Sequence, residues 1–90
     1  MPRLLVMSER AVTEVKRAAY LQTVAARRER AAAANANFWV FEQEDRRGRF
    51  LEFVEAGSAE ALESAITAVA DGANAELQNA VVWREAGGRN

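Results

Sequence analysis

Large apolar residues gather most densely between Phe38 and Glu55, broken by a polar stretch in the middle. Phe38-Trp39-Val40-Phe41-Glu42 and Phe50-Leu51-Glu52-Phe53-Val54-Glu55 each read as a strand, with Asp45 and Gly48 between them. Asp suits the first position of a type I turn, and Gly the left-handed position after it. The pattern therefore predicts a tight hairpin with Asp45 opposite Arg49. In that register Phe41 faces Phe53, Val40 faces Val54 and Glu42 faces Glu52. Side chains alternate sides with period two. One side then carries Trp39, Phe41, Leu51 and Phe53. The other carries Phe38, Val40, Phe50 and Val54, together with Glu42 and Glu52. Both sides are largely apolar, so both are expected to be covered by protein. The expectation sets Trp39, Phe41 and Phe53 against helices and the Val40–Val54 side against a second subunit.

The flanking segments complete the layout. Leu4-Leu5-Val6-Met7 is a short apolar run, better suited to a strand than to a helix. Thr13 is a plausible N-cap, and Glu14 to Ala34 contains neither Gly nor Pro. Helical spacing groups Val15, Ala18, Leu21, Val24, Ala25 and Arg28 on one face, with Tyr20 at its border. Arg17, Arg27, Glu29 and Arg30 fall mostly on the wet side. Asn35-Ala36-Asn37 stops the helix, since Asn tolerates the left-handed cap. Ser58 caps a second helix through Leu62, Ala65, Ile66 and Val69, which Asp71-Gly72 ends. Ala73 to Asn79 is either a loop or one helical turn around Leu77. Ala80 to Arg84 reads as a last strand, and Gly87 to Asn90 as a frayed tail.

The order strand–helix–strand–strand–helix–strand predicts a single α+β domain over residues 1–90. Its fold class is ferredoxin-like βαββαβ: a four-stranded antiparallel sheet with both helices on one face. The hairpin's second strand lies beside the first strand. The other sheet face has no cover from this chain, and the expected cover is a second copy.

Composition narrows the chemistry. The chain has 12 Lys and Arg against 13 Asp and Glu, with the signs interleaved, so it carries no basic footprint for nucleic acid. It has no His and no Cys. That removes the usual general base, the usual haem and transition-metal ligand, and thiol chemistry. No cofactor and no metal site are expected. No run approaches the length of a membrane span, and the first residues do not read as a signal peptide, so a cytoplasmic protein is expected. With 90 residues and no disulfide, oligomerisation is the remaining stabiliser, which favours a homodimer.

Over Leu4 to Trp83 the element order resembles the dimeric α+β barrel superfamily, which includes antibiotic-biosynthesis-monooxygenase-like and stress-responsive barrel domains. The resemblance is carried most locally by Phe38-Trp39-Val40-Phe41-Glu42, by Gly48 to Glu55 and by the helix start at Ser58 to Ala65. It implies a dimer closed sheet to sheet. It also implies an activity among oxygenases, haem-degrading enzymes, isomerases and members without known activity. The His that haem degradation needs is missing here, and the first strand lacks the Asn of the cofactor-free oxygenases.

The sharpest remaining constellation is Glu42 with Glu52, the candidate catalytic residues. Two carboxylates across a strand pair, beside apolar walls, raise one pKa and can serve as acid and base. They can equally be paired with arginines such as Arg10, Arg49 or Arg84, as buried charges usually are. Phe38, Val40, Phe50, Val54 and Trp83 are the candidate ligand-binding residues. The expected function is a small cytoplasmic homodimeric barrel protein of unspecified activity that binds a small apolar or aromatic ligand. The alternative is a cofactor-independent oxygenase or isomerase acting on an aromatic substrate.

Overall fold

The structure, a computed structural model, describes residues 2–70 and 75–87. Strand β1 (Leu4–Ala11) leads into helix α1 (Glu14–Ala33) and then into the hairpin of β2 (Ala36–Glu42) and β3 (Arg49–Ala56). Helix α2 (Ala59–Val69), a short helix α3 (Ala75–Gln78) and strand β4 (Trp83–Arg84) follow. All strand pairs are antiparallel, in the order β2-β3-β1-β4. This is the ferredoxin-like α+β fold expected from the chain's pattern.

Local signals explain most element ends. Asn35 has φ 60°, one residue past the Ala34 cap, and its amide closes back on the Ala32 carbonyl. Ser58 Oγ accepts the Ala61 amide at 3.1 Å and so caps α2. Thr13 stands at the N-cap of α1, but its side chain makes no capping bond there. One turn does form around Leu77, whereas Asp71, Gly72, Ala73, Asn74 and the last three residues lie outside the described ones. The final strand is shorter than expected: Ala80, Val81 and Val82 lie outside the sheet, and β4 comprises Trp83–Arg84, followed by the Glu85 amide on the Arg3 carbonyl.

The hairpin register differs from the expected one by two residues. Phe41 faces Leu51, Val40 faces Glu52 and Glu42 faces Phe50. The cause lies in the loop. The Gln43 amide bonds the Arg49 carbonyl, and the Gly48 amide turns inward to the Glu42 carboxylate at 2.8 Å. Gly48 does take the left-handed conformation, φ 89°, and its carbonyl accepts the Val12 amide at 2.8 Å. The loop thus ties β2, β3 and the β1–α1 junction together.

The two sheet faces are exchanged relative to expectation. Phe38, Phe50 and Val54 pack under the helices with Val6, Ala36 and Ala56, whereas Trp39 and Phe41 stand exposed on the far face. The sequence pattern sorted the strand residues into the right two sets but assigned the covers the wrong way round. The carboxylates supply the physical reason: Glu42 and Glu52 share the side of Phe38 and Val54, and their arginine partners Arg17 and Arg27 come from α1. Ala36 and Ala56 of the strands and Ala31 and Ala65 of the helices belong to the same buried core. Trp39, Phe41 and Phe53 carry no charge that needs a partner from α1 and lie on the opposite side. Phe41 and Phe53 meet edge to face on the open side, 5.5 Å apart.

Helix α1 is rotated as well. Its buried residues are Tyr20, Val24, Arg27 and Ala31, while Val15 is 92% exposed and Leu21, Ala18, Ala25 and Arg28 also face out. Arg28 lies along the outer edge of the sheet, where its Nε donates to the Phe38 carbonyl at 3.4 Å.

Candidate functional site

Strand alternation sends Glu42 and Glu52 to the helix side of the sheet, so each carboxylate needs a partner from the helix layer. Glu52 sits mid-strand on β3, opposite Ser8 and Val40, and is 0% exposed. Arg27, 2% exposed, reaches it from α1, with Nη2 3.3 Å from Oε1 and Nη1 3.4 Å from Oε2. The Tyr20 hydroxyl donates to Oε2. Arg10 Nε, from β1, lies 3.5 Å from the same oxygen.

The cations are themselves held. Arg27 Nε donates to the Val69 carbonyl at the end of α2, 3.0 Å away, and its guanidinium lies 4.6 Å above the Phe38 ring. The Arg10 guanidinium lies 5.5 Å from the Tyr20 ring, and that ring packs 4.7 Å from Phe50. Burial, reinforced by the hydrogen bond to the Glu52 carboxylate, pushes the Tyr20 hydroxyl well above its usual pKa. It remains a protonated donor over the physiological range.

Glu42 forms a separate nest at the end of β2. Arg17 grips it with Nη2 at 2.6 Å from Oε1 and Nε at 3.2 Å from Oε2, and Gly48 adds its backbone amide. The Arg17 guanidinium, then the Gly48 amide, hold this carboxyl down at about 2. The two carboxylates are therefore not cross-strand partners: Glu42 faces Phe50, Glu52 faces Val40, and each has its own arginine.

The expected ligand-binding set is divided in the same way. Phe38, Phe50 and Val54 are buried in the core and Val40 is half-buried beside them, whereas Trp83 is 53% exposed on the opposite face. Phe50 and Glu42 also line a hollow of about 290 Å³ at the hairpin end, with Phe41, Leu51 and Arg49. Arg10 was among the foreseen partners of the carboxylates. Arg17, Tyr20 and Arg27 were not assigned to them. Arg17, Tyr20 and Arg27 share one helical face at i, i+3 and i+10, but that spacing alone does not distinguish an inward arginine from a solvated one.

Comparison with known proteins finds no matching family model, no matching curated protein and no matching solved structure.

Among the described residues, no group of acidic side chains could hold a metal ion, and no helix is long and apolar enough to cross a membrane. The open sheet face is the other prominent feature. Met7, Trp39, Phe41 and Trp83 are exposed there, with Leu5, Leu51 and Phe53 half-buried between them. A hollow of about 320 Å³ lies between Trp39, Phe53 and Trp83. Ion pairs Arg3–Glu55 and Arg49–Glu9 stand at the two ends of this face.

Proposed function

We propose that the protein is a homodimer that closes two sheets face to face, in the manner of the dimeric α+β barrels, and carries a small apolar ligand without catalysing a reaction. The observation that supports this most is the open face itself. Trp39, Phe41, Leu51, Phe53, Met7 and Trp83 form one apolar field, with polar residues confined to its ends. Fields of this kind mark association sites. A second copy suits it because each end carries both signs, so a two-fold axis can bring acid to base on both sides.

The carboxylates are given a structural role in this reading. A general base needs an accessible lone pair near the substrate. Glu52 is enclosed by Arg27, Arg10 and Tyr20, and Glu42 is spent on Arg17 and Gly48.

Size-exclusion chromatography with light scattering tests the assembly. At micromolar concentration the expected mass is twice 9.9 kDa, and Phe41→Glu is expected to give a folded species of 9.9 kDa. A wild-type chain that stays folded at the single-chain mass overturns the dimer. Phe41 is 55% exposed in the chain alone and its ring contact is with Phe53 on the open face, so the variant is expected to stay folded, which circular dichroism checks.

A further inference from the structure

Strand β4 is only half built. The Glu85 amide bonds the Arg3 carbonyl at 2.8 Å and Trp83 pairs with Leu5, so the odd-numbered residues of β1 direct their backbone groups toward β4. The even-numbered ones serve β3, as the Val12 amide on Gly48 confirms. Because β4 begins only at Trp83, the amides and carbonyls of Met7, Glu9 and Ala11 point to an edge that no strand of the described residues pairs. Continuing the register of Leu5 with Trp83 would set Met7 opposite Val81 and Val6 opposite Val82. Both valines are β-branched and suited to a strand, yet they stand 68% and 54% exposed.

Directly beneath this segment is a cavity of about 310 Å³ between β1, α2 and α3. Leu4, Val6, Leu62, Ile66, Leu77 and Val82 supply its apolar lining. Among the described residues Glu63, Thr67 and Gln78 also line it, and no Lys or Arg does. Its volume is at the small end for ligand pockets. Its described lining offers no cation to an anionic group, and its Leu, Ile and Val side chains suit an uncharged apolar molecule of the size of benzene.

We propose that this cavity binds a small uncharged apolar molecule and that Ala80–Val82 is its strap, closing by pairing with that edge of β1. The proposal rests on the ligand-carrying part of the functional reading and is independent of the dimer. In the closed form the Val81 amide and carbonyl meet those of Met7. Val82, on the same side as Val6, then lies over the ligand. The ligand gives Val82 an apolar surface to cover, which offsets the ordering of the strap.

The probe is benzene, titrated into isotopically labelled full-length protein and followed by NMR. Saturable methyl shifts are expected at Leu62, Ile66, Leu77 and Val82. Amide exchange at Met7 and Val81 is expected to slow at least tenfold at saturation. Val81→Pro removes one strap donor and is expected to weaken binding about tenfold and to cancel the protection of Met7. Ile66→Trp, or Ile66→Phe if the larger ring unfolds the chain, is expected to block the shifts by filling the cavity. Saturable shifts confined to the Trp39 and Trp83 side overturn this site but leave ligand carriage standing. Absence of saturable binding anywhere overturns both. Binding in the cavity with unchanged exchange at Met7 and Val81 overturns the strap.

Discussion

At Glu52 a single carboxylate faces two guanidinium groups and a phenol inside the helix–sheet layer. Removing one partner of a buried ion pair leaves the other charge uncompensated, whereas replacing both by apolar side chains is close to neutral. Arg27→Met leaves Glu52 with Arg10 and the Tyr20 hydroxyl, so it is expected to cost about 1–3 kcal/mol, and adding Glu52→Leu to recover part of that loss. Urea denaturation of the single and double variants checks this. Glu42 provides a pH dependence of definite sign. Its folded value of about 2 lies below the reference value of 4.5. The stabilisation is full above pH 4.5 and is lost as the pH falls toward 2. Glu42→Gln should be less stable than wild type at neutral pH and should show a flatter decline over that window in denaturation midpoints. Both carboxylates stood out in the sequence because a charge on an apolar strand face needs an explanation. Arg17 and Arg27 did not, because an arginine on an amphipathic helix reads as solvated. Only the tertiary placement of Glu42 and Glu52 shows that these two turn inward.

The elements themselves were largely legible. The Gly- and Pro-free run of α1, the Asn35 stop and the Ser58 cap are local signals, and the structure keeps all three. Register was not legible, because it depends on a side chain folding back into its own loop. That is the Glu42–Gly48 bond, which lengthens the connection and shifts β3 by two residues. The same loop makes Gly48 hard to replace. Its φ is 89°, and a Cβ there would lie 2.6 Å from the Val12 carbonyl oxygen. Gly48→Ala is expected to lower stability by roughly 1–3 kcal/mol, from left-handed strain plus displacement of Val12. The denaturation midpoint should fall with an unchanged denaturant slope, since the strands remain in place. The shortfall at β4 has a comparable origin: Val81 and Val82 have strand propensity but nothing on the described chain holds them to the edge.

For the whole molecule, period-two alternation identified which strand residues share a face but not which face the helices take. Both sets were apolar, and what sets them apart is the pair of carboxylates on one side, which take their partners Arg17 and Arg27 from α1. The resulting outward aromatic field makes a prediction about association. Apolar burial is not screened by salt, in contrast to attraction between exposed charges. The wild-type light-scattering mass is expected to hold between low salt and about 1 M sodium chloride, a range over which exposed ion pairs are largely screened.

The guanidinium of Arg28 bears on what form such association takes. Strand β2 is the outermost strand on its side, uncharged from Ala36 to Phe41 and rich in β-formers, a composition that invites sheet-to-sheet growth. Arg28 occupies the outward Phe38 carbonyl midway along that border, and a bulky cation there obstructs an incoming chain. The proposed pairing through the broad side would end after one partner, whereas extension along the border would have no terminus. By guarding the border, Arg28 would favour the proposed finite dimer over a filament.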